Sequence, residues 1–211
     1  MKCITCGKKA TKSENLLLVI GLACEECVPR GKDVSFQILS AKNPKDLQFV
    51  LHFLEDLFGE TKFIEFGRCY DIREMEQLVA IDEKGRYIGL AVYTIEQEDP
   101  ALMTLLTVNV DESFFRRGVA STLLKEVKRI AIRRKISKIR VPISNDDLIS
   151  YVFYHRRGFR LSGIDINLCV KSHGDELEGL WKLPLRDELY LVCNVRDGQF
   201  EEQLNRIAGT L

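Results

Sequence analysis

The chain has no excess of charge of either sign, since 31 basic residues balance 31 acidic ones over 211 residues. A protein that coats nucleic acid needs a surplus of Lys and Arg, so this balance argues against a general nucleic-acid-binding role, although local basic patches remain compatible with it. The sequence also lacks low-complexity tracts and internal repeats. Its length suits one sizeable domain and one small domain.

No apolar run is long enough to cross a bilayer. The best candidate, residues 16–24, follows several lysines and imitates a signal peptide or a lipoprotein anchor. It is too short to span, Glu14 lies just before it, and it ends in a cysteine pair. We therefore interpret it as a strand of a small metal-binding module, and we expect a cytoplasmic protein with no membrane partner.

Histidine is scarce, and none of the three pairs with a cysteine or a serine in a recognisable nucleophile arrangement. Cysteine, in contrast, is patterned: Cys3/Cys6 and Cys24/Cys27 form two Cys-x-x-Cys pairs that are 17 residues apart. This is the spacing of a structural four-thiolate zinc site, whose metal contributes roughly 10–16 kcal/mol to folding. The alternative is two disulfides, but the other cysteines are isolated and resemble buried thiols; they are Cys69, Cys169 and Cys193.

These patterns divide the chain into a zinc ribbon-like module over residues 1–31 and a larger α/β domain over residues 34–211. In the larger domain, Asn43-Pro44 and Gly59 delimit an amphipathic helix. Three strand-like runs follow as an antiparallel meander, and a strand–helix–strand crossover spans residues 102–143. One mixed sheet flanked by helices is predicted. The remaining predicted strands are 34–39, 138–143, 159–170 and 188–195, and the remaining helices are a short one within 63–75, 119–134, 148–157 and 199–208.

The segment 108–121 contains a predicted strand end, a basic turn and a helix that begins at Gly118. Backbone N–H groups at a helix N-terminus bind phosphate or pyrophosphate, helped by the helix dipole. Gly118 allows a ligand close to the backbone, the small Ala120 keeps the next turn open, and Arg116 and Arg117 add positive charge. The alternative is an ordinary basic turn before a solvent-facing helix, and the glycine spacing alone is weak evidence.

A second segment supports the phosphate interpretation. Asn145 is followed by Tyr154, which lies four residues before Gly158-Phe159. The two segments, in this order, resemble the GNAT superfamily of acetyl-CoA-dependent N-acetyltransferases: the first its R/Q-x-x-G-x-G/A loop, the second its asparagine and tyrosine. The resemblance covers roughly residues 34–195. Two departures are Phe115 in place of Arg or Gln, and a longer gap between Asn145 and Tyr154.

The resemblance implies a GNAT fold in which the strand before the loop splays from its neighbour to admit acetyl-CoA. Tyr154 would protonate the departing thiolate, although helical periodicity alone favours a core role for it. No acid lies in 102–105, where many relatives carry a general base. The implied cofactor-binding residues are Val108, Val110, Arg116, Arg117, Gly118, Val119, Ala120, Ser121 and Asn145. The candidate bases, each more typical of a solvated surface acid, are Glu65, Asp71, Glu112, Asp146 and Glu188.

The predicted partners are therefore acetyl-CoA and an amine on a small molecule or a protein. The acceptor groove of the family lies between the first helical region and the loop of residues 171–187, whose acids (Asp175, Glu176 and Glu178) would suit a cationic amine. An alternative is an acetyl-CoA sensor whose zinc module docks on a protein or nucleic acid, and a weaker one is a DNA-binding zinc protein. The sequence does not distinguish a monomer from a homodimer.

Overall fold

The computed structural model describes residues 34–174 and 177–195. The four cysteines of the predicted zinc module, Asp175, Glu176 and the predicted helix 199–208 lie outside these residues. No helix in the described part of the chain is long and apolar enough to cross a membrane.

Eleven strands and four α-helices are found in the described residues. The strands are β1 (Phe36–Ser40), β2 (Lys62–Glu65), β3 (Arg68–Asp71), β4 (Glu76–Asp82), β5 (Tyr87–Ile95), β6 (Leu102–Val110), β7 (Lys138–Ser144), β8 (Arg160–Asp165), β9 (Leu177–Glu178), β10 (Pro184–Leu185) and β11 (Glu188–Asn194). The helices are α1 (Pro44–Phe58), α2 (Val119–Arg133), α3 (Leu148–His155) and α4 (Leu168–His173). Short 3-10 turns cover Ile72–Glu74, Glu112–Phe114 and Leu180–Lys182.

Seven strands form one mixed sheet in the order β1-β4-β5-β6-β7-β11-β8. Every neighbouring pair is antiparallel except β6 and β7, which are parallel and are joined by α2. The predicted meander and the crossover are therefore confirmed. Two-stranded pairs β2-β3 and β9-β10 lie outside the main sheet.

The two parallel strands separate after a short paired stretch. Their pairing covers only Leu102–Thr104 of β6 with Lys138–Arg140 of β7. On its other edge, β6 stays paired with β5 through Val110, with a bulge at Leu106. A wedge thus opens between the second halves of β6 and β7, at the carboxyl ends of the strands, where ligands bind in open α/β sheets.

Each face of the sheet has its own apolar core. On one face α2 packs on the sheet. The core between them includes Leu105, Leu123, Ile139, Phe159 and Leu191. On the other face α1 and the β2-β3 hairpin cover a cluster that includes Val50, Leu54, Val79, Leu90 and Leu106. The α1 ends match the sequence prediction: Asn43 Oδ1 accepts the Asp46 N–H at 3.0 Å, and Gly59 ends the helix at φ 76°.

Two local predictions need correction. Residues 63–75 were predicted to contain a short helix, and the structure has one only as the 3-10 turn Ile72–Glu74. Most of the segment is a β-hairpin, whose two-residue turn places Phe66 and Gly67 at φ 53° and 70°. Two consecutive positive φ angles match the twist of paired strands, and the 3-10 turn at Ile72–Glu74 follows. The predicted strand 159–170 ends at Asp165, because Asn167 adopts φ 60° and α4 begins directly after it.

Candidate active site

The predicted phosphate loop connects the open end of β6 to α2. Asp111 Oδ1 accepts the Ser113 N–H at 2.9 Å, which shapes the start of the loop, and Phe114 is buried beneath it. Gly118 then adopts φ 81°, and the first helical bond runs from Thr122 N–H to Gly118 O at 3.0 Å. The N–H groups that precede Thr122 have no acceptor within the helix, so the positive end of α2 lies at this loop.

The loop surface is open and carries an unsatisfied donor. A Cβ on Gly118 would meet no atom within 4 Å, so its positive φ, not crowding, requires glycine here. The Arg117 guanidinium lies 5.1 Å over the Phe114 ring, and its Nε is buried with no hydrogen-bond partner in the described part of the chain. An unsatisfied Nε donor on a half-buried arginine beside a helix N-terminus fits an anionic group. Arg116 is exposed at φ 62°, and Phe115 is also exposed.

Gly89 on β5, which sequence reasoning missed, lets the strands and α2 meet closely. A Cβ there would lie 2.8 Å from Asn109 O, 3.2 Å from Val119 Cγ1 and 3.3 Å from Val110 Cγ2. A lone glycine within a strand gives no distinctive sequence pattern, and only the neighbours of Gly89 in the structure reveal its role. Because Val119 is buried and begins α2, Gly89 fixes where the helix starts relative to β6.

Val108 and Val110 lie on β6 beyond its last pairing with β7. Both are half-buried, and their side chains pack against the α2-side core. On one side they pair with β5, where Val108 lies opposite Ala91 and Val110 lies opposite Gly89. On the β7 side, the second half of β6 faces the wedge, which is where the resemblance places an extended ligand.

Ser121 and the half-buried Ala120 occupy the first turn of α2. Arg157, beyond the end of α3, donates from Nη2 to Ser121 Oγ at 2.7 Å and from Nη1 to Phe153 O at 2.9 Å. Burial lowers the pKa of Arg157 to about 10. Sequence reasoning missed this arginine, which ties the end of α3 to the first turn of α2.

Tyr154 is only 4% exposed and belongs to the α2-side core. Its ring packs edge-on against Phe153 and Phe159, at centroid distances of 5.1 and 5.2 Å. Burial, together with the charge of Asp147, raises the pKa of Tyr154 above its ordinary value. The side chain thus serves the core and also keeps its proton at neutral pH; its catalytic role stays a prediction.

Asn145 is engaged in holding the segment before β11. Its Nδ2 donates to Pro184 O, and its Oδ1 accepts the N–H groups of Arg186 and Asp187, all at 2.9 Å. The N-cap of α3 is Asp147, whose Oδ1 accepts the Ser150 N–H at 2.9 Å. A cofactor contact from Asn145 stays a prediction and would have to compete with three existing bonds.

The five candidate general bases differ in their surroundings. Asp71 and Glu112 lie at the starts of 3-10 turns, and Asp71 caps its turn through the Arg73 N–H. Asp146 and Glu188 are buried, so the expectation of solvated surface acids is wrong for them. The remaining candidate, Glu65, is close enough to Glu188 for a hydrogen bond, and burial raises the pKa of both carboxyls.

The β2-β3 hairpin is clamped over the sheet at its tip. The Phe66 ring lies between the Arg140 guanidinium of β7, 3.8 Å from the ring centroid, and the Tyr190 ring of β11. At its base, buried Glu96 accepts hydrogen bonds from the side chains of both the hairpin and the sheet; the donors are Arg68, Tyr70, Thr104 and Arg140. This network, which the sequence does not reveal, ties β3 of the hairpin to β6 and β7.

The sequence profile of the Acetyltransferase (GNAT) family matches residues 47–159, a span that contains β6, the loop, α2 and α3. The chain belongs to the GNAT acetyltransferase family. The Bacillus subtilis (strain 168) protein YxbD is 26% identical to this GNAT chain over 153 residues, which cover 71% of the chain and 92% of YxbD.

Solved structures share the fold of this GNAT acetyltransferase. A Bacillus subtilis acetyltransferase in complex with CoA has a TM-score of 0.61 at 17% identity, covering 76% of this chain and 99% of that one. An IAA acetyltransferase from Bacillus cereus has a TM-score of 0.59 at 21% identity, with the same coverage. A GNAT acetyltransferase from Elizabethkingia anophelis with acetyl-CoA bound has a TM-score of 0.57 at 18% identity, covering 76% and 98%. The fold predicted from two short motifs is therefore confirmed.

Proposed function

We propose that the chain transfers the acetyl group of acetyl-CoA to an amine while both are bound. The observation that carries the proposal is the wedge between β6 and β7, which opens beside the N-terminus of α2 and the unpartnered Nε of Arg117. Family membership supports it, as do neighbours that hold CoA and acetyl-CoA.

The loop residues supply the anion site. The N–H groups of Gly118, Val119, Ala120 and Ser121 would bind the diphosphate of acetyl-CoA at the positive end of α2. Arg116 and Arg117 would add charge to the same site. Phe115 offers no hydrogen bond there, so the main chain carries more of the binding.

The wedge would hold the pantetheine arm along β6, where Val108 and Val110 have no pairing with β7. A backbone N–H near Val108 would stabilise the oxyanion that forms at the thioester carbonyl. Holding the two reactants together removes much of the entropic barrier. Tyr154, whose raised pKa keeps its hydroxyl protonated, would donate a proton to the leaving thiolate.

The acceptor is a small-molecule amine or an amine on a protein. Both classes occur among the neighbours by name, since they include a nourseothricin acetyltransferase and a ribosomal-protein-S18-alanine N-acetyltransferase. Their TM-scores are 0.54 and 0.55.

The test is CoA release from acetyl-CoA with a panel of primary amines. Turnover that is lost in Tyr154→Phe and kept in Tyr151→Phe, a half-buried tyrosine on the same helix, supports the enzyme. Tight CoA binding without turnover on any amine contradicts it and supports the second candidate, an acetyl-CoA sensor. Phe115 in the loop and the absence of an acid in 102–105 favour that candidate.

We also propose a structural zinc held by Cys3, Cys6, Cys24 and Cys27. This rests on their spacing, because these cysteines lie outside the described residues. We also propose a cytoplasmic location. The cysteines among the described residues form no disulfide, as is usual in a reducing compartment. The zinc module could dock on a protein.

A further inference from the structure

We propose that Glu65 and Glu188 together form the site for the acceptor's ammonium group and take its first proton. The inference rests on the proposed amine acetylation and identifies the proton acceptor that the sequence leaves open. It also defines the acceptor as a cationic amine.

Glu65 and Glu188 lie near the open end of the wedge. Glu188 begins β11 and lies opposite Ser144, the last residue of β7. It therefore lies at the open end of the wedge. Only β7 separates β11 from the wedge, and neighbouring strands are about 5 Å apart. Glu65 ends β2 at the hairpin tip, which Phe66 clamps over β7 and β11.

Three carboxyl groups in this region each have a buried oxygen without a hydrogen-bond donor among the described residues. Glu188 is 94% buried, at 6% exposure, and its Oε1 has no hydrogen-bond partner among the described residues. The same holds for Glu65 Oε2 and for Asp146 Oδ1, and Asp146 is buried as well. All three carboxyls act electrostatically on Cys169, which places them in one neighbourhood. Buried acceptors without donors are costly unless a ligand satisfies them.

An ammonium group is the ligand that fits best. It carries three N–H donors and no acceptor. An anionic ligand would be repelled by the carboxylates, and a neutral donor would bring no positive charge to offset theirs. A metal ion fits less well, because no group of three or more His, Cys, Asp or Glu in the described ranges has the geometry to hold one.

The remaining charges nearby favour a cation. Glu60 and Asp165 raise the pKa of the pair, and Tyr190 lies within hydrogen-bonding reach of Glu188. Cys169 and Asp187 lie in the same region. Two nearby cations already have anionic partners: Arg140 is bonded to Glu96 and Thr104, and Arg68, which lies opposite Glu65 in the hairpin, is bonded to Glu96 and Glu98. Burial raises the pKa of both Glu65 and Glu188. Two neighbouring carboxyls repel when both are ionised, and this favours a state in which they share one proton and one of them remains a carboxylate.

Two protons leave the acceptor nitrogen during the reaction, and one proton is taken up by the thiolate. The free carboxylate of the pair accepts one proton from R–NH3⁺ and leaves R–NH2, whose lone pair forms the C–N bond as the C–S bond breaks. The second proton leaves the nitrogen for solvent, and the thiolate gains one from Tyr154. The pair and Tyr154 then re-equilibrate with water, so that one proton is released for each amide and thiol formed.

The test measures binding separately from turnover. Butylamine, spermidine and a lysine-containing dipeptide, each as its ammonium form, are titrated calorimetrically into the full chain saturated with CoA. We expect at least one of them to bind, and its affinity to fall about 10-fold or more in Glu65→Gln and Glu188→Gln. Glu83→Gln removes an exposed acid in the turn between β4 and β5 and should bind like the wild type.

For an amine that is acetylated, kcat/KM should fall about 100-fold in both pair variants, while the KM for acetyl-CoA stays unchanged. Equal affinity in the wild type and the pair variants overturns the inference. It is also overturned if Mg²⁺ or Zn²⁺ binds at the pair and none of the amines does. If amines bind through the pair but none is acetylated, the proposed function fails and the ammonium site stands.

Discussion

The rings of Phe66 and Tyr190 lie in contact, with centroids 4.5 Å apart, and this pair joins the β2-β3 hairpin to the last long strand of the sheet. Phe66 also lies under the Arg140 guanidinium. The hairpin tip is therefore fixed from two strands, which positions Glu65 against Glu188.

Phe66→Ala should loosen the hairpin. The loss of one aromatic pair and one cation–π contact lowers the unfolding free energy by about 1–3 kcal/mol, measured by urea denaturation. If the pair binds the acceptor, the acceptor KM rises and the acetyl-CoA KM does not. Ile64→Ala, 56% exposed on the same hairpin, is the control and should stay within about 0.5 kcal/mol. Equal losses in the two variants would contradict the clamp.

Glu96→Gln should be strongly destabilising at neutral pH, by about 3 kcal/mol, because it leaves the largely buried Arg140 guanidinium without its anion. Burial raises the pKa of Glu96, but hydrogen bonds from Thr104, Arg140 and Tyr70 and the charge of Arg140 outweigh it and lower the pKa. A lowered pKa means that the stabilisation is present above the ordinary value of 4.5 and is lost as the pH falls through the folded-state pKa.

The difference in stability between wild type and Glu96→Gln should accordingly shrink in acid, which denaturation at a series of pH values would show. Glu98→Gln is the matched control, because Glu98 pairs with Arg68, as Glu96 does, but is 78% exposed. It should cost about 0–1 kcal/mol at any pH. A pH-independent loss in Glu96→Gln would refute the charge-based explanation.

Gly89→Ala should destabilise the junction of β5, β6 and α2. The new Cβ would lie 2.8 Å from a backbone oxygen that cannot move freely, and overpacking of this kind costs about 1–3 kcal/mol. Gly163→Ala provides the control, since its Cβ would meet Tyr190 Cδ2 at an ordinary 3.4 Å. Thermal melts that show Gly89→Ala as stable as Gly163→Ala would mean that the junction can relax.

The ends of α1 were predictable because their signals are local: the Asn43 cap, Pro44 and Gly59 act within one turn of the chain. The meander and the loop before α2 were predictable for the same reason. The hairpin at Phe66 was not, because a phenylalanine at positive φ has no sequence signal and depends on its contacts with Arg140 and Tyr190.

The candidate site was predicted only in part. The loop at Gly118 is a contiguous motif and lies at the wedge, as the resemblance implied. The pairing of Glu65 with Glu188 joins a hairpin to a distant strand, and only tertiary structure brings them together. Likewise, Asn145 was assigned by motif position, whereas its hydrogen bonds are set by a loop that lies more than 35 residues on.

Cys24→Ser should reduce the zinc bound per chain, because one of four thiolate ligands is lost from a site whose metal carries the folding energy. Metal analysis of the purified full chain provides the measurement. Cys69→Ser removes an exposed free thiol and should leave the zinc content unchanged. If Cys24→Ser retains the wild-type zinc content, the four-cysteine assignment is wrong.

Binding of CoA by Gly118→Val, measured calorimetrically beside Gly85→Val, tests the anion site most directly. Both glycines have positive φ, 81° and 75°, and open space around the missing Cβ, so both variants should lose a similar stability of about 1–2 kcal/mol. Only Gly118 lies at the N-terminus of α2, where a branched side chain would occupy the ligand's place. We predict that Gly118→Val loses CoA affinity by about 100-fold, or about 2.7 kcal/mol, and that Gly85→Val binds CoA normally. Unchanged affinity in Gly118→Val would contradict the account.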